Sequence, residues 1–229
     1  FLFFFAGLAA NEKKNVLMLL LLFVGAAAFW SGFDQSAGSL TIFTRDYVNL
    51  TFGTFTAPVS WTQFVNPLFV VMFAPFFAYL WVFLGQRNLD PNMPIKFAMG
   101  LILMALGFIV MIFAVKFALI SSPVGVQWLL LTYLLHTFGE LTLSPVGLSA
   151  FSKYSPKRYL GQMMGIWFLA SSLGGVLAGL LGGEATESGL DSISPVFSDL
   201  VYYYIVIAAI LIVLSFFIKG VTSEEKESE

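Results

Sequence analysis

The 229 residues are 59% apolar and 10% charged, with a mean hydropathy of +0.89 and a formal net charge of −2. A soluble domain carries nearer 25% charged residues, so the composition excludes an ordinary soluble fold and indicates an all-α, polytopic membrane protein. The absence of cysteine, the single histidine and the lack of any basic cluster leave no basis for disulfides, a His-rich metal centre or nucleic-acid binding.

Residues 1–10 are apolar but cover only about half a membrane thickness. They read as the end of a preceding helix, with a linker to residue 12, so the chain is expected to be part of a longer protein. Residues 13–221 then form a bundle of six predicted spans, counted at about 20 apolar residues per crossing.

The first span, 15–44, is longer than one crossing and must be tilted, bent or protruding. Its second half collects Ser31, Asp34, Gln35, Ser36 and Ser39. The second, 59–84, contains Asn66-Pro67 and Pro75, and proline frees backbone groups that neighbours must satisfy. The third, 95–120, is almost wholly apolar. The fourth, 124–151, carries Glu140 near its middle, with His136 and Ser144 four residues away on either side and roughly on the same face. The fifth, 160–181, is rich in small residues, including Gly175-x-x-x-Gly179, a spacing that allows close helix approach. Packing is the expected role of most of these glycines. The sixth, 197–218, is followed by a charged tail, 222–229, of disordered composition.

Lysine and arginine set the orientation. With the N-terminal end cytoplasmic, that side holds Lys13, Lys14, Arg87, Lys96, Lys153, Lys157, Arg158, Lys219 and Lys226, and the other holds only Arg45 and Lys116. Nine against two puts both ends of this segment in the cytoplasm and the protein in the cell (inner) membrane.

Two acids lie inside spans, Asp34 and Glu140, with no basic residue of this chain at a comparable depth. A carboxylate at the bilayer centre costs about 2.5 kcal/mol or more on insertion scales. Such a group should face protein or a water-filled cavity, where it can carry a proton or bind a cationic amine. His136 reads as structural, its ring bonded to a backbone carbonyl or to Glu140, ahead of a role in proton relay. Trp61, Trp81 and Trp128 sit near span ends and read as interfacial anchors. Trp30 and Trp167 lie inside spans and can pack the core or wall an apolar pocket.

Four stretches together resemble the proton-dependent oligopeptide transporter family of the major facilitator superfamily. They are Phe29-Trp30-Ser31-Gly32-Phe33-Asp34-Gln35; Val65-Asn66-Pro67-Leu68-Phe69 with Ala74-Pro75; Gly139-Glu140-Leu141 with Ser144-Pro145-Val146-Gly147-Leu148-Ser149; and Pro156-Lys157-Arg158 running into Met163-Met164-Gly165-Ile166-Trp167-Phe168-Leu169. They fall in the family's order on the expected helices. The resemblance implies that the six spans are the C-terminal half of a twelve-helix transporter, with the site at midplane against an N-terminal six-helix half. It implies proton-driven symport of di- and tripeptides, with H+ as coupling ion and no cofactor.

Carried over residue by residue, the resemblance makes Glu140 and Asn66 the holders of the peptide's amino terminus, since a carboxylate suits an ammonium and an amide orients it. Trp30 and Trp167 become pocket walls, with Ser144 and Ser171 nearby. Asp34 becomes the gate acid that pairs with a base of the other half, and its protonation couples protons to opening, as Glu140 also can. The family often has Glu where Asp34 stands and commonly Asn where Gly175 stands. The competing expectation is a transporter of the same fold for another small solute, such as nitrate or a drug-like molecule; Glu140 speaks against an anion. No nucleophile–base pair, metal cluster or cofactor motif suggests an enzyme.

Overall fold

The computed structural model describes residues 7–182 and 189–223, with side chains as far as 216. Helix α1 (Ala10–Phe33) leads through a 3-10 turn (Asp34–Ser36) into α2 (Ser39–Tyr47). Three two-residue strands follow, β1 (Val48–Asn49), β2 (Thr51–Phe52) and β3 (Phe55–Thr56), and a 3-10 segment (Val59–Phe64) opens α3 (Val65–Gln86). Helix α4 (Met93–Ile120), strand β4 (Val124–Gly125) and helix α5 (Gln127–Tyr154) come next. A 3-10 turn (Lys157–Tyr159), α6 (Leu160–Gly182) and α7 (Leu190–Ser223) complete the chain. The expected helix end within 1–6, the acids Glu184 and Glu187, Gly183, the tail 224–229 with Lys226, and the Lys219 side chain lie outside what is described.

Among the described residues five segments are long and apolar enough to cross a membrane: Ala10–Tyr47, Val59–Gln86, Met93–Ile120, Lys157–Gly182 and Leu190–Phe216. Helix α5 has the length, since its 28 residues rise about 42 Å at 1.5 Å per residue. His136, Thr137, Glu140, Thr142 and Ser144 lower its hydropathy, yet it packs on α1, α3, α4 and α6 and so belongs to the same bundle. The last helix starts at Leu190 instead of 197, because its polar first turns are covered by the bundle: Ile193, Val196 and Phe197 are buried.

Local chemistry sets the helix starts. At α1, the Glu12 carboxylate accepts from the Ala9 backbone N–H at 2.9 Å, satisfying one orphan donor. At α4, the Asn92 side chain accepts from Ile95 N–H at 3.1 Å, with Pro94 in the first turn. Of the three geometries open to the first span, the chain takes the bend. The helix gives way at Asp34–Ser36 and restarts beyond Gly38, where short polar side chains compete for backbone partners. At the same end of the bundle β1 pairs in parallel with β4, Val48 against Val124. Strands β2 and β3 form a hairpin in which Gly53 supplies φ +64° at the first turn position.

Helix α4 is the central post, packed between α5 and α7 and crossing α1. Its Phe97, Leu101, Met104 and Phe108 meet Leu22 and Phe29 of α1 and Phe197 and Tyr204 of α7 in a fully buried core. Glycines bring the backbones together, the driving term available to helices in lipid. At the α4–α5 crossing, a Cβ on Gly139 would lie 2.8 Å from the Gly100 carbonyl oxygen and 3.0 Å from Phe29. At the α1–α6 crossing, a Cβ on Gly174 would lie 2.5 Å from the Trp30 Cβ and 3.0 Å from the Ala27 carbonyl oxygen. Packing thus accounts for Gly174. Gly179 has no atom within 4 Å of its Cβ position among the described residues, and Gly175 meets only Asp34, so the Gly175-x-x-x-Gly179 spacing joins no two described helices. Helix α3 leans on α5 through Phe73 and Phe77 against Phe138, at 5.0 and 5.3 Å between ring centroids. It leaves Leu68, Val71, Met72 and Phe76 exposed.

Candidate functional site

The Gly100–Gly139 contact fixes the α5 backbone one residue before Glu140 and turns that side chain away from α4. Glu140 Oε2 accepts a hydrogen bond from Asn66 Nδ2 on α3 at 3.0 Å. The same Asn66 nitrogen donates to Thr137 Oγ1 at 3.0 Å, and Thr137 donates to the Tyr133 carbonyl at 2.7 Å. Pro67, the next residue, contributes no N–H in the first turn of α3, where none is required. Asn66 is therefore free to use its amide across the helix pair. Thr137 is not among the residues the sequence marks for the site; its signal is a hydroxyl three residues before Glu140, a spacing that places both on one helix face.

Glu140 opens onto a cleft of about 370 Å³ between α1, α5 and α6. Its walls are Trp30, Glu140, Ser144, Pro145, Leu148, Trp167, Phe168 and Ser171. All six residues expected to bind substrate are thus brought together, five on the cleft wall and Asn66 bonded to its carboxylate. Pro145, Leu148 and Phe168, which the sequence does not mark, complete the apolar lining. The Ser144 hydroxyl is buried with no hydrogen-bond partner among the described residues. Ser171 donates to the Phe168 carbonyl at 2.8 Å, so its oxygen can still accept.

The two tryptophans are held differently. Trp167 is 6% exposed and meets Phe97 and Phe151 at 6.5 and 5.3 Å between centroids. Its ring lies against Gly147, where no side chain could be added without overlap. Trp30 is half-buried, in edge contact with Phe29 at 5.8 Å and Phe33 at 5.0 Å. One wall is rigid and the other is partly open.

His136 does not share the cleft with Glu140 and Ser144. A helix turns about 40° over four residues beyond a full turn, and the histidine ends up against α4, its ring 4.9 Å from Phe108 and packed over Gly107. Of the two structural hydrogen bonds expected for its ring, the one to Glu140 is not made: Asn66 contacts Glu140, and His136 Nε2 has no partner among the described residues. His136 also borders a second, smaller cavity of about 200 Å³ with Phe33, Ser36, Gln63, Asn66, Pro67 and Tyr133. Asn66 therefore stands between the two spaces.

Asp34 lies outside both cavities, in the break of the first span, half-buried. Its Oδ2 comes 3.1 Å from where a Gly175 Cβ would be, and no described side chain pairs with it. Among the three expected anchors, Trp81 also supports a cation, since Lys96 Nζ sits 4.4 Å over its ring and pairs with Asp90 at 2.8 Å. Among the described residues no group of three or more His, Cys, Asp or Glu could hold a metal ion.

Comparison with known proteins identifies a family. The POT family model matches residues 6–189. A peptide transporter of Yersinia enterocolitica, YePEPT, is 38% identical over 216 residues, which is 93% of this chain and 42% of that protein. A di-/tripeptide transporter of Lactococcus lactis subsp. cremoris is 35% identical over 167 residues, 71% of this chain and 33% of the relative. The crystal structure of a peptide transporter POT in complex with sulfate superposes with a TM-score of 0.84 at 31% identity, covering 95% of this chain and 43% of that one. The chain thus spans less than half the length of these relatives.

Proposed function

The chain belongs to the POT family, and on that premise we propose that it is the C-terminal half of a proton-coupled symporter of di- and tripeptides. It is a multi-pass membrane protein of the major facilitator fold. Its partner in that reading is a second six-helix bundle closing the open side of the cleft, and α3 and α6, with their exposed apolar faces, are the helices left for it to cover. Both ends of the segment are cytoplasmic, consistent with nine cations against two.

The observation that carries the reading is Glu140, on the wall of a cleft flanked by two tryptophans and bonded to Asn66 at 3.0 Å. An ammonium takes three acceptors and offers no shape of its own. The free lone pairs of the Glu140 carboxylate, the Asn66 amide oxygen and the Ser171 hydroxyl supply acceptors on one side. Trp30, Trp167 and Phe168 receive varied side chains, because apolar walls tolerate differences that fixed polar groups reject. Relatives named as transporters of peptides, and of di- and tripeptides, support the same substrate class.

The carboxyl also provides the coupling. Peptide amine and proton compete for one carboxylate in a poorly solvated site, so occupancy by one alters occupancy by the other. Asp34 acts at the gate, where pairing with a base of the apposed half holds the outer side shut and protonation releases it. The test is proton-driven dipeptide uptake by the full-length protein carrying Glu140→Gln. Uptake is expected to collapse; uptake like the wild type overturns the assignment of Glu140.

A further inference from the structure

Among the described residues one side chain hydrogen-bonds the break in the first span to α6. Gln35 is 1% exposed, an unusual place for an amide unless every polar atom is engaged. Its Nε2 donates to the Ala178 carbonyl of α6 at 2.9 Å, and its Oε1 accepts from Ser39 Oγ, the first residue of α2, at 2.7 Å. Gly182, one turn beyond Ala178, leaves the space the amide fills: a Cβ there would crowd three Gln35 atoms, all within 3.0 Å. The residue before it in sequence is Asp34, whose carboxylate lies over Gly175. Ala178 follows Gly175 by three positions, so the two contacts are one helical turn apart on α6.

We infer that Gln35 is a positioning residue: it fastens the bent first span to α6 and thereby sets where the Asp34 carboxylate stands. The inference rests on the reading of Asp34 as the gate acid. A buried amide bonded to a backbone carbonyl and to a side chain across the bend makes α2 and the outer part of α6 move as one body. Release of either bond leaves a buried polar group unsatisfied, so the arrangement resists displacement. Among the described residues the surroundings of Asp34 are otherwise bare of charge. Helix α6 has no Asp, Glu, Lys, Arg or His. On α2, Arg45 and Asp46 pair with each other at 2.7 Å. On α1 the charged residues, Glu12, Lys13 and Lys14, sit in its first turns, about 30 Å away along the helix. Tyr204 of α7 shares its hydroxyl with Ser31 at 3.3 Å. Position, set by Gln35, is therefore what decides how Asp34 meets its partner.

The test uses the full-length transporter in proteoliposomes, with proton-driven dipeptide uptake measured across pH and dipeptide affinity measured at fixed pH. Three variants are compared: Asp34→Asn, Gln35→Leu and Gly182→Ala. The last displaces the amide while leaving Gln35 and Asp34 chemically intact, and it guards against a misfolded Gln35→Leu. Asp34→Asn is expected to flatten the pH profile. Gln35→Leu and Gly182→Ala are each expected to move its midpoint by about half a pH unit or more, with affinity at fixed pH within about threefold of wild type, under ~0.7 kcal/mol. A profile altered by Asp34→Asn but unmoved by both others overturns this inference alone, as does a uniform loss of rate without a shift. A wild-type profile in Asp34→Asn overturns the gate reading and this inference with it.

Discussion

Replacing Asn66 by alanine isolates the contact on which the proposed recognition of a peptide's amino terminus rests. The amide nitrogen lies 3.0 Å from both Glu140 Oε2 and Thr137 Oγ1. A hydrogen bond to a charged group contributes about 1.5–3 kcal/mol, and each 1.4 kcal/mol is tenfold in affinity. Asn66→Ala should therefore weaken dipeptide binding by about 10- to 150-fold. Glu140 itself remains, so binding is diminished and not abolished. The assay is isothermal titration of the full-length protein with a dipeptide, run as a cycle with Glu140→Gln. If the two side chains hold one ammonium together, the double variant loses less than the sum of the singles, with a coupling of about 0.5–3 kcal/mol. An N-acetylated dipeptide, which lacks the ammonium, should bind weakly to wild type and be almost indifferent to Asn66→Ala. Additive losses, or an Asn66→Ala penalty equally large for the acetylated ligand, would refute the reasoning.

Two predictions concern stability. Gly174→Ala should push α1 from α6, because the new methyl meets the backbone and Cβ of Trp30 at 2.5–2.9 Å; overpacking of this kind costs about 1–3 kcal/mol. Its melting midpoint should fall, while Gly85→Ala, with open space around it, stays level or rises; equal midpoints would contradict the close α1–α6 crossing. Lys96→Met removes a buried cation bonded to Asp90 at 2.8 Å and stacked on Trp81. Since Asp90 is 38% exposed and can rehydrate, the expected cost is modest, about 1–2 kcal/mol, read as a lower midpoint that adding Asp90→Asn to Lys96→Met lowers little further.

Much of this architecture is one-dimensional information. A run of apolar residues long enough to cross must be helical, because lipid offers no partner for backbone groups, so the long helices of the bundle are legible from segment lengths. An acid in such a run must find a cavity or a partner, which singles out Glu140 and Asp34 without coordinates. The polar group from Ser31 to Ser39 likewise marks where the first crossing is interrupted. What residue order leaves open is azimuth and partnership. Whether His136 shares a face with Glu140 depends on a few tens of degrees of rotation, and the Gly100–Gly139 crossing decides it by turning the histidine into α4. That Ser144 and Ser171 line one cleft, or that Asn66 and Glu140 meet, depends on where separate helices cross. Gln35 is the sharpest case: its sequence neighbours say only that it is polar and near a bend. Its engagement by Ala178 and Ser39, in the space left by Gly182, exists only once three segments are packed.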